Sequence, residues 1–322
     1  MMNFYKNLLK PLLFSLDPET AHDLATIFIK RYSGLLNNQY NNPNLRRTIC
    51  GMDFKNPIGL AAGFDKNAEL INQIPKLGFG FMEVGTITPK PQEGNPKPRM
   101  IRLAEHQGLI NSMGFNNDGL GAIVKRLEKR KTSDFIIGAN IGKNKSTLNA
   151  NAHLDYIDCF HVLQDVVDYI TINISSPNTP TLRELLGKDS LQLILESVQN
   201  ENVKRSIKKP VFLKISPDLK KEEILRVIKT CEEYELDGIV STNTTTYHSY
   251  SFGGMSGKFL GKLSEDVSNV IKENSNLKVI SSGGIINKEI GIERLKNFDL
   301  IQLYTGLVYE GPSLTKQILK SL

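Results

Sequence analysis

The sequence predicts a (β/α)8 TIM barrel with a small N-terminal helical extension, and two observations lead to this fold class. From Asn56 onward, short apolar runs alternate with stretches of helical periodicity, which is the pattern of repeated βα units. There are eight such runs, and they predict strands over 57–62, 79–86, 135–140, 169–174, 211–215, 238–242, 279–282 and 300–305. Helical patterns lie among them over 120–130, 191–203, 222–234, 265–274 and 289–297.

Eight βα units with short αβ loops favour a closed parallel barrel over an open, doubly wound sheet. An open sheet usually has fewer strands and a glycine-rich first turn, and no GxGxxG motif follows the first predicted strand. Three βα connections are long, over 87–117, 175–189 and 243–263. In a barrel these loops all emerge at the C-terminal face, where active sites are built.

The segment before the barrel predicts two short helices with apolar faces. The first lies within 4–16, where seven apolar residues surround Pro11. The second begins at Asp17, an N-cap residue followed by Pro18, and carries apolar residues at helical spacing as far as Tyr32. We predict a helical module at 1–37 and a barrel at 38–322. The pattern favours helices that cap the barrel, and it leaves open a pair that lies in a membrane interface and forms the mouth of an apolar tunnel.

Composition limits the classes of protein to consider. Of 322 residues, 40% are hydrophobic and 23% are charged, which is ordinary for a soluble globular chain. The net charge of +6 comes from scattered Lys and Arg residues, so it gives little support to nucleic-acid binding. It leaves open attraction to anionic ligands, attraction to an anionic membrane, or plain solubility. Three cysteines without paired spacing indicate a reducing compartment, and His106 and His153 have no second ligand at coordinating spacing, so no metal site is predicted.

Polar residues stand at the ends of several predicted strands. The first strand ends in AAGFDK, where Lys66 follows Ala61, Ala62 and Gly63, small residues that let a flat ring approach the backbone. Later strands end in polar side chains at Asn140, Asn173, Lys214 and Thr242-Asn243. Because the carboxyl ends of barrel strands meet at one face, we predict a single shared ligand site.

The last two predicted strands run into glycine-containing turns. Gly283-Gly284 follows the seventh strand, and Tyr304-Thr305-Gly306 follows the eighth. Backbone N–H groups in these two loops are the usual phosphate cradle of this architecture. The sequence therefore predicts a phosphorylated cofactor or substrate.

The motifs at these positions resemble those of one enzyme family. They are NISSPNTP at 173–180, AAGFDKN at 61–67, NSMGF at 111–115, NIGKN at 140–144, KISPDL at 214–219, STNTT at 241–245 and SGGI at 282–285. With them the sequence resembles dihydroorotate dehydrogenase from about Tyr5 to its last residue. It is similar to the quinone-dependent, membrane-associated class, which carries a serine, here Ser176, where the soluble classes have a catalytic cysteine. That class also has an N-terminal helical pair, here before about Asn37.

The resemblance implies an activity, its cofactor and its partners. It implies oxidation of (S)-dihydroorotate to orotate in pyrimidine (UMP) biosynthesis, with one FMN per chain as hydride acceptor and a membrane quinone as final acceptor. A soluble-class enzyme, or another FMN barrel acting on a pyrimidine ring, remains the alternative. The resemblance also implies a monomer whose N-terminal helices make peripheral contact with the cytoplasmic face of a bacterial inner membrane, and no nucleic acid is expected.

The resemblance also assigns residues to the two ligands. For FMN it assigns Ala61, Ala62, Gly63, Lys66, Thr86, Asn140, Asn173, Lys214, Thr242, Gly257, Gly284, Tyr304 and Thr305. A planar uracil-like carboxylate is suited by amide side chains and a cation. For that substrate the assigned residues are Lys66, Asn111, Ser112, Met113, Gly114, Phe115, Asn173, Asn178, Asn243 and Thr244.

Two of these assignments have a clear chemical purpose. Dihydroorotate loses a proton from C5 and a hydride from C6, so a base is needed on the side opposite the flavin, and Ser176 is the candidate. A free hydroxyl has too high a pKa, so Thr179 is expected to position a water and Phe115 to screen the site. Lys214 is expected to stabilise negative charge on the reduced flavin. The alternatives are that Ser176 only caps a turn and that Lys214 pairs with a carboxylate.

The sequence departs from the family pattern at three positions. Ser112 stands where family members often carry Arg, Thr181 where Gly is common, and Phe259 where a proline is usual. None of them has an assigned catalytic role. Phe259 lies in the same loop as Gly257, one of the residues assigned to FMN.

Overall fold

The computed structural model describes residues 5–179 and 181–322. Its strands, β1 to β13 in chain order, span Arg47–Ile49, Met52–Phe54, Ile58–Leu60, Phe81–Ile87, Met100–Leu103, Gly108–Asn111, Ile136–Ile141, Tyr169–Asn173, Val211–Ile215, Gly238–Ser241, Gly254–Gly257, Lys278–Ser282 and Leu300–Leu303. Eight of them close into a barrel in the order β10-β12-β13-β3-β4-β7-β8-β9. All neighbours in the barrel are parallel. The predicted fold class is therefore confirmed.

Helices surround the barrel and precede it. The α-helices span Lys10–Phe14, Pro18–Tyr32, Leu120–Leu127, Ala152–Leu163, Lys188–Asn202, Lys221–Glu233, Leu260–Asn274, Lys288–Asn297, Thr305–Glu310 and Ser313–Leu319. Shorter 3-10 turns lie at Ser33–Leu36, Pro43–Leu45, Ile74–Leu77, Ala104–His106, Asn149–Asn151 and Leu182–Leu186. Within the described chain, no helix is both long and apolar enough to cross a bilayer.

Two small sheets, which the sequence analysis did not predict, close the ends of the barrel. The hairpin β1-β2 packs under the floor, where Ile49, Met52 and Phe54 join a separate apolar cluster. Over the mouth, β5, β6 and β11 form an antiparallel sheet in the order β11-β6-β5. Two of the long βα loops thus carry strands, and these place further side chains above the strand ends.

The barrel interior changes from aromatic to polar along its axis because inward positions recur every second residue. At the floor, each of three rings occupies the space that a Cβ would need on a glycine of a neighbouring strand: Phe81 over Gly59, Tyr169 over Gly138, and Phe212 over Gly238. Two residues further along the same strands stand Glu83, Thr171 and Lys214. The apolar floor therefore supports a polar layer at the mouth.

Hydrogen bonds join the N-terminal helices to the barrel. The Glu19 carboxylate accepts hydrogen bonds from Nη2 and Nε of Arg99 at 2.6 and 3.2 Å. Arg102 Nη1 donates to the carbonyl of Phe14 at 3.0 Å. The helix Pro18–Tyr32 begins as the sequence predicts, because Asp17 accepts from the backbone N–H of the next turn.

The predicted first helix differs from the observed structure. Tyr5–Leu9 is a π-helical stretch that runs into the short helix Lys10–Phe14, and residue 4 lies outside the described residues. Ile29, from the second helix, belongs to the same buried core as the barrel helices. The division of the chain at residue 37 stays a prediction.

Candidate active site

One cavity opens at the carboxyl ends of the barrel strands, and most of the predicted site residues line it. Those that do are Ala61, Ala62, Gly63, Lys66, Thr86, Asn111, Met113, Gly114, Phe115, Asn173, Ser176, Asn178, Lys214, Thr242, Asn243, Thr244, Gly284, Tyr304 and Thr305. These residues come from seven of the eight barrel strands and their following loops. The structure thus brings Lys66, Asn173 and Lys214 to one cavity, as the strand-end argument predicts.

Four predicted residues do not line the cavity. Asn140 lies beneath it, fully buried in the polar layer, and Thr179 is buried beside it with no hydrogen-bond partner for Oγ1 among the described residues. The Ser112 hydroxyl accepts from the side chain of Asn95 at 3.2 Å, outside the lining. Gly257 ends β11 with a φ of +92°. Their roles toward a ligand stay predictions.

Glu83 anchors the polar layer from below. Its carboxylate is fully buried and accepts from Asn140 Nδ2 at 2.8 Å, the Tyr169 hydroxyl at 3.2 Å, Thr171 Oγ1 at 3.0 Å and Gln302 Nε2 at 3.0 Å. Four donors satisfy the carboxylate, which is the requirement for keeping a charge in the protein interior. The layer is therefore built around one buried acidic side chain that four donors satisfy.

The hydrogen bonds that start at Glu83 orient the amides above it. Because Asn140 donates downward, its Oδ1 faces the mouth, where it accepts from Thr86 Oγ1 at 2.6 Å and Asn173 Nδ2 at 2.9 Å. The Asn173 Oδ1 then accepts from Ser175 Oγ at 3.1 Å, which in turn accepts from Asn243 Nδ2 at 3.1 Å. Residues on the three strands β4, β7 and β8, and in the loops after β8 and β10, thus form one directed network at the base of the cavity.

Ser176 lies in the loop after β8 and is 6% exposed. Its Oγ accepts from the backbone N–H of Asn178 at 3.2 Å. The turn-capping contact that the sequence left open is therefore present, and the same hydroxyl lines the cavity. A hydroxyl has two lone pairs and one proton, so capping leaves it free to contact a ligand.

Two lysines place positive charge at the cavity. Burial lowers the pKa of Lys66 to about 8, with the charge of Glu19 acting in the opposite direction. Burial also lowers the pKa of Lys214, and the charge of Glu83 opposes that shift. Lys214 thus lines the cavity, as a residue that stabilises a reduced flavin would. The charge of Glu83 acts on Lys214, but the two side chains form no ion pair within 4.0 Å.

The turn after β12, which the sequence predicts to hold a phosphate, is built on two glycines. Gly283 and Gly284 have φ values of +103° and +74°, which L side chains rarely adopt. A Cβ on Gly284 would collide with the backbone of Gly261, at the start of the helix Leu260–Asn274. Ser256 and Thr305 share a hydroxyl contact of 2.9 Å across the same corner. This corner therefore needs glycine, and it brings backbone N–H groups to the cavity wall.

Sequence reasoning missed several lining residues. They are Met100, Leu109, Ser256, Leu260, Ser282, Ile285 and Gln302. The first three sit on the antiparallel sheet over the mouth, for which the sequence has no local signal. Gln302 did have one, because it is a polar residue at an inward position of the apolar run that forms β13.

A second cavity, of about 400 Å³, lies between the N-terminal helices and the barrel. Its lining is apolar except around His22 and Arg102, and includes Leu13, Ala25 and Leu307. Met100, Leu109 and Tyr304 line both cavities, so the two adjoin at these side chains. Burial, followed by the charge of Lys66, lowers the pKa of His22 to about 4, so this imidazole is neutral at pH 7.

Comparisons with known proteins agree with this architecture. Residues 44–322 match the family model described as dihydroorotate dehydrogenase. A protein named dihydroorotate dehydrogenase (quinone) from Christiangramia forsetii is 44% identical, covering 98% of this chain and 97% of that protein. Another of the same name from Bartonella tribocorum is 43% identical, with 100% and 92% covered.

Solved structures show the same similarity in three dimensions. DHODH from Eimeria tenella in complex with ferulenol superposes with a TM-score of 0.88 at 36% identity, covering 94% of this chain and 90% of that chain. The ligand-free form from the same organism gives 0.85 at 37% identity, with 94% and 93% covered. A barrel whose mouth carries these motifs, matched over nearly its whole length by such relatives, belongs to the dihydroorotate dehydrogenase family.

Proposed function

We propose that this protein oxidises (S)-dihydroorotate to orotate in pyrimidine biosynthesis, with bound FMN as hydride acceptor and a membrane quinone as final electron acceptor. The observation that carries the proposal is the pair of adjoining cavities. One is polar, with Lys66, Asn173 and Lys214 on its wall, and the other is apolar and lies under the N-terminal helices. Such a pair suits a redox cofactor that serves a charged substrate on one side and an apolar one on the other.

Features of this chain support a flavin with a phosphate. The small residues Ala61, Ala62 and Gly63 leave room for a flat ring, and Gly283-Gly284 offers backbone N–H groups to an anion. Gln302 Oε1 is buried in the lining and has no partner in the described part of the chain, so it is available to a donor on a ligand. Asn140 supports the FMN site from below. The lining residues that we assign to FMN are Ala61, Ala62, Gly63, Lys66, Thr86, Asn173, Lys214, Thr242, Gly284, Tyr304 and Thr305.

When bound, the flavin supplies the hydride acceptor for C6 of the substrate. Ser176 is the proposed base for the C5 proton. Its Oγ already accepts the Asn178 N–H, which helps to hold the hydroxyl in one orientation. The hydroxyl needs a relay because its pKa is high. Thr179 Oγ1, which has no hydrogen-bond partner within residues 5–179 and 181–322, is suited to position a water. Phe115, which is 9% exposed, covers the site against solvent.

The substrate is a planar anion with amide edges, and the cavity offers matching groups. Lys66 supplies the charge that pairs with the carboxylate. Asn111 and Asn178 contact each other across the cavity wall at 3.3 Å, so their amides present donors and acceptors at one edge. Asn243 and Thr244 are proposed to contact the ring from the opposite loop.

The N-terminal helices are proposed to receive the quinone and to touch the membrane. This segment carries large apolar side chains that are 38–73% exposed: Leu8, Leu12, Leu24, Ile27, Phe28 and Leu35. Three of them, Leu12, Leu24 and Phe28, also line the apolar cavity. An apolar face of this kind lies in the interface of a bilayer without crossing it. We therefore propose a monomer with module 1–37 at the cytoplasmic face of the membrane.

The visible spectrum of the purified protein tests this function. We expect oxidised FMN bands that bleach when dihydroorotate is added without oxygen and return when a quinone analogue follows. A colourless protein would contradict the flavin. Bleaching that fumarate or NAD⁺ reverses, but a quinone analogue does not, would instead indicate a soluble-class enzyme.

A further inference from the structure

Arg294 is a buried cation that the proposed mechanism does not use. It lies on the helix Lys288–Asn297, which follows the predicted phosphate turn, and it is 1% exposed. A guanidinium stays charged at all working pH values, so its burial needs a compensating anion or a full set of hydrogen bonds.

The hydrogen bonds of Arg294 lead to the back of the phosphate cradle. Nη1 donates to Ser281 Oγ at 2.7 Å. Nη2 donates to the carbonyl of Gly261 at 2.6 Å and to Ser264 Oγ at 3.0 Å. Ser264 Oγ in turn donates to the carbonyl of Gly283 at 2.8 Å. Arg294 is therefore one side chain away from the cradle turn and does not itself reach the cavity.

The backbone of the cradle leaves little freedom in this arrangement. Gly261 and Gly284 pack so closely that a Cβ on Gly284 would collide with the backbone of Gly261. By holding the Gly261 carbonyl, Arg294 fixes the start of the helix Leu260–Asn274 against the turn. Arg294 and the backbone N–H groups of the turn therefore both belong to the corner where Gly261 packs against Gly284.

The charge of Arg294 is only partly neutralised by the protein. Its hydrogen-bond acceptors are hydroxyls and a carbonyl, which carry no net charge. Among the described residues, the one carboxylate within 4.0 Å is that of Glu265, whose Oε1 lies 3.9 Å from Nε and whose side chain is 32% exposed. The next acid along that helix, Asp266, is paired with Lys262 at 2.7 Å. A positive potential therefore remains behind the turn.

We propose that Arg294 is a positioning residue that makes the cavity select a phosphorylated flavin over the same flavin without phosphate. The inference rests on the proposed binding of FMN. The N–H groups of Gly283 and Gly284 would hold the phosphate dianion, and Arg294 would supply the opposite charge from behind the turn. Because the protein interior has a low dielectric, a charge there acts more strongly than at the surface.

A competition experiment measures this selection directly. The holoenzyme is equilibrated with an excess of FMN and riboflavin at a fixed ratio, freed of unbound flavin, and its bound flavins are separated and quantified. The ratio of bound FMN to bound riboflavin depends only on protein that binds flavin, so it is insensitive to a loss of folded material. Three variants are compared with the unmodified chain: Arg294→Met, Arg294→Lys and Glu265→Gln.

The expected ratios follow from the charges. Arg294→Met should lower the preference for FMN about tenfold, and Arg294→Lys should retain most of it. Glu265→Gln removes the charge that opposes Arg294, so the preference for FMN should rise several-fold. The side chain of Glu265 is partly exposed, so the substitution should not destabilise the fold. If Arg294→Met yields no flavoprotein, the Glu265→Gln ratio decides.

Two results would overturn the inference. One is an unchanged ratio in Glu265→Gln, and the other is a loss of FMN and riboflavin in equal proportion in Arg294→Met, which is what a purely structural residue would give. Failure of the proposed FMN binding is seen separately, because the unmodified chain would then retain neither flavin.

Discussion

Asn140 donates its side-chain N–H to the buried carboxylate of Glu83 over 2.8 Å, and this contact determines which way the amide points. Oδ1 must then face the mouth, where it accepts from Thr86 and Asn173. A carboxylate only accepts, so it imposes this direction, whereas a neutral amide at the same place would allow either orientation. Glu83 thus sets the polarity of the network below the proposed flavin.

Glu83→Gln is expected to raise the midpoint potential of the bound flavin by tens of millivolts. The substitution removes a buried negative charge beneath a group that becomes more negative on reduction, so the reduced form is stabilised. The potential is measured by equilibration with reference dyes. Tyr169→Phe is the matched control, since it removes one donor to Glu83 and keeps the charge. An equal shift in both variants would show that packing, and not charge, is responsible.

The sequence predicts the strand-end residues well because each of them follows an apolar run in the chain. If the eight apolar runs are the parallel strands of a closed barrel, Lys66, Asn173 and Lys214 must lie at its C-terminal mouth. The lining from the covering sheet could not be predicted in this way. Ser256 reaches the cavity because it pairs with Leu109, far away in the chain, and such antiparallel pairing has no local pattern.

The hydrogen-bond partners of Glu83 could not be predicted from the sequence for a related reason. Glu83 lies inside a run that predicts a buried strand, and its donor Gln302 is 219 residues away. A buried carboxylate is accounted for only when its partners are known, and the donors to Glu83 come from three different strands. Thr181 stands where glycine is common in the family. Its φ of +58° lies in the left-handed region, which glycine adopts more readily than other residues, so the structure explains why glycine suits that position.

Ser176→Ala is expected to lower the rate of flavin reduction by dihydroorotate by roughly 10²–10⁴-fold while FMN stays bound. The alanine retains the backbone and loses only the hydroxyl that lines the cavity. Stopped-flow absorbance without oxygen measures the rate. Ser176→Cys keeps a group that can accept a proton and should retain more activity than the alanine variant. A rate close to that of the unmodified chain in Ser176→Ala would remove the base assignment.

The alkaline limb of kcat/KM for dihydroorotate is expected near pH 8. Lys66 has its pKa lowered to about 8 by burial, so it is charged below that pH and neutral above it. The substrate carboxylate is anionic throughout, so attraction is lost as pH rises, and kcat/KM should fall about tenfold per unit above the pKa.

Two variants check that Lys66 causes this limb. Lys66→Gln should lower kcat/KM and abolish the limb, because no group is left to lose a proton there. Glu19 raises the pKa of Lys66, so Glu19→Gln should move the limb to lower pH. If the limb persists unchanged in Lys66→Gln, another group is titrating.

Ala25→Phe is expected to lower turnover with a quinone analogue and to leave flavin reduction by dihydroorotate unchanged. Ala25 lines the apolar cavity, and a phenyl group there would occupy space that the quinone needs. The two half-reactions are measured separately, by steady-state dye reduction and by stopped flow. Arg31→Phe adds the same side chain at an exposed position of the same helix and serves as the control. Equal turnover with the quinone analogue in the unmodified chain and both variants would exclude this cavity as the route by which the quinone reaches the flavin.

Leu12→Ser combined with Leu35→Ser is expected to weaken binding to phospholipid vesicles by roughly tenfold or more. These side chains are 61% and 73% exposed, so the folded protein loses little when they change. Transfer of each leucine into a membrane interface contributes about 1–2 kcal/mol, and serine contributes almost none. Co-sedimentation with vesicles of mixed neutral and anionic lipid measures the affinity. Ile207→Ser, at an 81% exposed position remote in sequence from the N-terminal helices, should bind like the unmodified chain. If all three proteins sediment equally, scattered positive charge and not the helical face holds the protein to the membrane.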